Sequence, residues 1–97
     1  MEKIKVGYQH STSMFQKHAK GFVVINGNEV VLETKNGEVV TRLDQNVISK
    51  SWFTFGSSAD AIRIEKRDAP VVYFWATCLL GYHRSKTRDL FDRIRML

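Results

Sequence analysis

Few side chains in this chain could do chemistry on their own. The one thiol, Cys78, precedes His83 by five residues. A nucleophilic cysteine needs a base and a third group to orient that base. The carboxylate nearest in sequence is Asp89, which falls on the solvated face of a helix. Cys78 is accordingly read as a small buried hydrophobe. A lone cysteine forms no internal disulfide and suits a reducing, cytoplasmic compartment. His10, His18, His83 and Cys78 share no metal-ligand spacing. No P-loop and no GxGxxG motif occurs, and Gly56 stands alone in its loop, too little to cradle a phosphate. The expectation is a protein that is not an enzyme, with no catalytic residue, no metal and no cofactor.

The remaining candidates are charges and aromatic rings. The net charge is +5, from 15 Lys and Arg against 10 Asp and Glu. Residues 81–97 carry +3 of it, with Arg84, Lys86, Arg88, Arg93 and Arg95 set against Asp89 and Asp92. Such a balance attracts phosphate-bearing partners. The positions that could hold an anion are Lys3, Lys5, Lys17 and Lys20 near the start, and Arg84, Lys86 and Arg88 near the end. On the terminal helix, Arg88 and Asp92 stand at i and i+4, as do Asp89 and Arg93, so ordinary solvated pairs account for much of that charge. Trp52, Phe53, Phe55, Tyr73, Phe74 and Trp75 could stack bases. Residues of this kind more often fill the core of a small barrel. Two tryptophans exceed what so small a core needs, so Trp52, Phe55, Trp75 and Tyr82 are the candidates for a partner surface.

The elements that must position these groups are mostly strands. Residues 21–43, GFVVINGNEVVLETKNGEVVTRL, hold two Asn-Gly signals, at Asn26-Gly27 and Asn36-Gly37. Asn-Gly between β-branched runs marks a hairpin, because a type I′ turn needs positive φ at both central residues. Three antiparallel strands follow, and Asn28 extends the first turn to a three-residue loop with a bulge. Val30 and Leu32 alternate with Glu29, Val31 and Glu33, so Val30 and Leu32 face the core. Val39 and Val40 fit either register. Before this meander, Ile4, Val6 and Tyr8 share one face of a first strand. Lys3 and Lys5 face outward, an arrangement that also guards an edge strand. Residues 10–20 read as a loop or a helical turn.

Beyond Leu43, Asp44-Gln45-Asn46 reads as a turn, and residues 47–55 as a strand. Residues 61–67 alternate, with Ile62 and Ile64 inward. Pro70, the only proline, stands before a last strand over residues 71–75. Residues 77–82 form a connection. From residue 84 the chain is helical, with Leu90, Phe91, Ile94 and Leu97 in one stripe and Ser85 or Thr87 as N-cap. A helix this short is marginal in water, so it must pack its stripe on the sheet. The fold class is mainly β (α+β): a bent seven-stranded antiparallel sheet or partly open barrel, capped by a C-terminal amphipathic helix. At 97 residues it forms one domain, 1–97. No apolar run approaches the length of a membrane span, and the first residues lack the apolar stretch of a secretory signal.

This order of seven strands, paired hairpins and terminal helix resembles the pleckstrin-homology-like superfold, GRAM-type domains included. Gly21-Phe22-Val23-Val24-Ile25 and the strand that follows Asn28 look like the pair that opens GRAM-like domains. Val71-Val72-Tyr73-Phe74-Trp75 looks like the last strand before the helix. A polo-box-like domain, with six strands and a helix, is the nearest rival. The resemblance implies a non-catalytic binding module for phosphoinositide headgroups, peptides or folded proteins. In its lipid-binding members basic residues cluster on the first two strands and their loop, and Lys3, Lys5, Lys17, His18 and Lys20 are the positions that answer. The chain departs from that pattern in having no arginine before Arg42, so a bidentate grip on phosphate is absent there.

The leading expectation is a protein-binding module that uses a strand edge or the groove between sheet and helix. The alternative is an anion-binding module for phosphoinositide headgroups or, with less support, nucleic acid. An open sheet has edges to pair or guard, so a homodimer is a further expectation.

Overall fold

The structure is a computed structural model and describes residues 1–10, 19–44, 46–52, 60–79 and 81–97. Of the expected loop at 10–20, residues 11–18 lie outside the described residues, as do Phe53 and Phe55, while Ala19 and Lys20 are already strand. The elements are β1 (Glu2–Gln9), β2 (Ala19–Asn26), β3 (Glu29–Thr34), β4 (Val39–Leu43), β5 (Ile48–Trp52), β6 (Asp60–Ile64), β7 (Val72–Cys78), β8 (Gly81–Tyr82) and α1 (Arg84–Arg95). Seven strands follow the order β4-β3-β2-β1-β7-β6-β5, all pairs antiparallel, as a curled half-barrel. The two-residue β8 folds back on the end of β7. β4 and β5 end the path, so the barrel stays open between them. β1 is not an edge: it lies between β2 and β7, and its outward lysines guard nothing.

The two Asn-Gly hairpins form, but with different turns from those expected. In the first, Asn26 pairs with Glu29, which leaves a two-residue loop, Gly27-Asn28, and no third residue. Only Gly27 takes positive φ there, at 62°, the pattern of a type II′ turn. In the second, Gly37 N–H donates to Thr34 O at 3.0 Å and Thr34 N–H donates to Glu38 O at 2.7 Å. The loop is therefore three residues long, with Gly37 at φ 91°. Each arrangement asks for positive φ at one residue, and glycine meets that without a Cβ clash, whereas type I′ would also force an asparagine there. A register shift beside Leu32 and Glu33 settles the two valines. Val40 becomes the extra residue of a bulge and packs on the core, while Val39 is 56% exposed.

The core lies on the inner face of the half-barrel. Val6, Val23, Leu32, Ile62, Ile64 and Phe74 project into it, and Leu90, Phe91 and Ile94 of α1 close it. Leu97, expected in the same stripe, is 44% exposed, because α1 ends at Arg95. The N-cap is His83, not Ser85 or Thr87. Its Nδ1 accepts the Lys86 N–H at 3.1 Å. Thr87 is instead buried and ties the helix to the sheet. Its Oγ1 accepts the Ala76 N–H at 2.9 Å and donates to His83 O at 2.8 Å. The β6–β7 register stops at Ile62 and Phe74, so the first turn of α1 takes over the backbone of β7 from that point.

Candidate functional site

Two surfaces carry the groups with chemistry, and they lie on opposite sides of the sheet. The inner one is a cleft of about 230 Å³ between β5, β6 and α1, lined by Lys50, Ala61, Ile62, Thr87, Arg88, Phe91 and Asp92. Helical spacing sets its helix side, since Thr87, Arg88, Phe91 and Asp92 are neighbours at i, i+1, i+4 and i+5. Strand pairing sets the other side, since Lys50 stands opposite Ile62. The Lys50 Nζ lies 5.4 Å from the centre of the Phe91 ring, and the Arg95 guanidinium 5.7 Å from it. Two cations thus border one nearly buried ring, with the Asp92 carboxylate close by. The cleft pairs an apolar floor with a cationic mouth.

The outer surface is built by β1, β2 and β7. The register puts Lys3 opposite Val24, Lys5 opposite Phe22, and Gly7 opposite both Lys20 and Trp75. Paired residues share a face, so Lys3, Lys5, Lys20, Phe22 and Trp75 all stand on the side away from α1. Lys3 Nζ sits 5.6 Å over the Phe22 ring. Trp75 fills the gap that Gly7 leaves. A Cβ on Gly7 would stand 2.7 Å from the indole Cζ2, so only glycine lets the ring lie there. Further along, Arg63 faces Tyr73 with its guanidinium 6.0 Å from the ring centre, and its NH2 group reaches Glu65 at 3.4 Å.

The anion candidates therefore do not form one patch. Lys3, Lys5 and Lys20 come together on the outer face. Arg84, Lys86 and Arg88 lie on the first turns of α1, against the inner face. Lys17 lies outside the described residues. The partner-surface candidates also separate. Trp75 is only 5% exposed, which removes it from any exposed surface: its ring is spent on covering Gly7. Tyr82 is half-buried on β8. Trp52 ends β5, its side chain lying outside what the structure describes, and so does Phe55. Cys78 is half-buried at the end of β7 rather than enclosed, and the Nδ1 of His83 is occupied by the Lys86 N–H.

Three residues of these surfaces were not singled out as functional from sequence. Phe22 was legible, since a strand that buries Val23 must turn Phe22 the other way. Phe91 was assigned to the core, and nothing local marks its ring as a cleft floor. Lys50 was invisible, because its place depends on how β5 meets α1. The expected Asp89–Arg93 pairing gives way to a longer link. Arg93 donates to both Glu2 carboxylate oxygens, at 2.8 and 2.5 Å, and ties the start of β1 to the last turn of α1. The Arg93 hydrogen bonds hold the Glu2 carboxyl below the ordinary carboxylate value, and Glu2 raises Arg93 in turn.

Among the described residues no three metal-ligating side chains come together. No helix among them is long and apolar enough to cross a membrane. Compared with protein-family models, with curated proteins and with solved structures, the chain matches none.

Proposed function

We propose that this chain is a non-catalytic, cytoplasmic binding module of pleckstrin-homology-like architecture whose partner is another protein. The strand order and the terminal helix support the architecture. One observation carries the function: the cleft beside Lys50, Arg88 and Phe91 adjoins β5, an end strand of the sheet. An extended segment of a partner can add to that edge through its backbone and place one side chain in the cleft. Among the described residues no strand pairs with the outer side of β5, which leaves its backbone N–H and C=O groups there for a partner. The cleft supplies a choice of side chain, apolar over Phe91 and complemented by charge at Lys50 and Arg88.

The test is selection of binders from a random peptide display library, followed by amide NMR titration of the whole chain. Selected peptides are expected to shift Ile48–Trp52 and residues 87–92. The substitutions Lys50→Glu and Arg88→Glu change exposed positions and are expected to weaken binding at least tenfold while leaving the fold intact. Peptides that bind elsewhere and ignore both substitutions sink this reading.

A second reading, an anion-binding module, is favoured by the grouping of Lys3, Lys5 and Lys20 on the outer face. It predicts saturable binding of a polyanion that weakens with salt. A headgroup and a nucleic acid both belong to this class.

A further inference from the structure

We propose that the outer face of β1 and β2 binds single-stranded nucleic acid, with Lys3, Lys5 and Lys20 meeting successive phosphates and Phe22 stacking a base. This rests on the second reading above and names its ligand class. The argument starts from how the lysines are placed. Lys3 and Lys5 are alternate residues of β1, and Lys20 stands one strand across, opposite Gly7. At the rise of a β-strand, the row from Lys3 to the level of Lys20 is about 13 Å long, with a step of roughly 6.7 Å. The backbone positions are strung along a line rather than set around a point. A headgroup with clustered phosphates needs donors that converge, best with an arginine fork, and this face has lysines alone between β1 and β2. A row suits a ligand that repeats its charge along a line.

Between Lys5 and the level of Lys20 the row meets Gly7, which has no side chain of its own and is covered by the Trp75 indole. No ion pair ties Lys5 or Lys20 to a carboxylate among the described residues. Glu2 of β1 pairs with Ile25 and so belongs to the inner face. On the outer face, acidic residues begin on β3, where Glu33 lies opposite Phe22 and Glu29 is already paired with Arg42. The track is therefore cationic along one side and bounded on the other. Phe22 stands beside its middle, opposite Lys5, half-exposed, with the Lys3 ammonium over its ring. A half-exposed ring in that place can stack on a ligand that presents π-faces. Unpaired bases do so, whereas a duplex keeps its π-faces stacked inside. Lipid headgroups carry none.

The probe is a fluorescein-labelled oligothymidylate of about 15 nucleotides, long enough for several contacts. Anisotropy is read for the full chain at about 50 and 200 mM salt. Three phosphate contacts at about 0.7 each predict a log–log salt slope near −2. Replacing Lys3, Lys5 and Lys20 together with Gln is expected to lower affinity at least tenfold and flatten the slope. Phe22→Leu keeps apolar bulk and is expected to cost roughly tenfold with the slope unchanged, as loss of one stacked base implies. Circular dichroism melting confirms that each variant is folded. Two parallel arms use inositol hexakisphosphate and phosphatidylserine vesicles. Binding of either in place of the oligonucleotide, lost in the lysine variant, overturns the nucleic-acid assignment and leaves the anion-binding reading standing. Failure of all three probes overturns both. Oligonucleotide binding that survives the lysine variant, or is removed instead by Gln at Arg84, Lys86 and Arg88, also overturns the assignment.

Discussion

Replacing Thr87 with valine should destabilise the fold by about 2 kcal/mol, although the two side chains have nearly the same shape. Thr87 is 1% exposed and Ala76 is 0% exposed. The Thr87 hydroxyl is the acceptor for the Ala76 N–H, at the point where β6 has stopped pairing with β7. Valine leaves that donor buried without a partner, at a cost of roughly 1–3 kcal/mol. The His83 carbonyl keeps one bond, from the Thr87 N–H at 3.1 Å. The added methyl recovers up to about 0.8 kcal/mol of burial, less where polar atoms surround it. The helical propensities of the two residues are similar, so α1 itself is little affected. For a chain of 97 residues, about 2 kcal/mol lowers Tm by roughly 8–16 °C. Thr87→Ser is the control, since it keeps the oxygen and loses one methyl, for about 1 kcal/mol. Urea unfolding followed by circular dichroism measures both. Amide exchange at Ala76 should quicken in the valine variant and not in the serine variant. A valine variant as stable as the parent, or more stable than the serine variant, would show that this hydrogen bond does not anchor the helix.

Two further perturbations test the packing and the clasp. Gly7→Ala puts a methyl 2.7 Å from the Trp75 indole, so the ring must move; a loss of about 1–3 kcal/mol and a red-shifted emission are expected in a Trp52→Phe background, and unchanged emission with unchanged Tm would contradict the close approach. Glu2→Gln removes the link to Arg93, whose hydrogen bonds lower the Glu2 carboxyl. A carboxyl lowered on folding stabilises above its unfolded value and loses that effect as pH falls through the lowered one. Parent and variant should therefore differ slightly in Tm near neutral pH and converge as pH falls below the ordinary carboxylate range and in about 1 M salt, since both partners are exposed. A difference that persists at low pH would assign the effect to something other than this ion pair.

What the sequence by itself determined is everything that depends on neighbours along the chain. Alternation put Val30, Leu32, Ile62 and Ile64 in the core, and each is buried. The Asn-Gly pairs marked both hairpins, and the stripe of Leu90, Phe91 and Ile94 marked the helix face. Each is a local period meeting one hydrophobic interior. The turn types escaped, because the cross-strand register decides which residues are left over for the loop. The cap escaped as well: Thr87 looked like an N-cap in sequence and became an anchor only because β7 offers it a free N–H. Tertiary structure alone decided that β1 is central, that Trp75 is spent on Gly7, and that the lysines and the terminal arginines face opposite ways. The cleft exists because β5 and α1, distant in sequence, meet at Lys50 and Phe91. Positions like these follow from how strands pair across the sheet and how the helix lands on it. Such long-range contacts leave no period in the chain, since each partner's identity is compatible with many other neighbours.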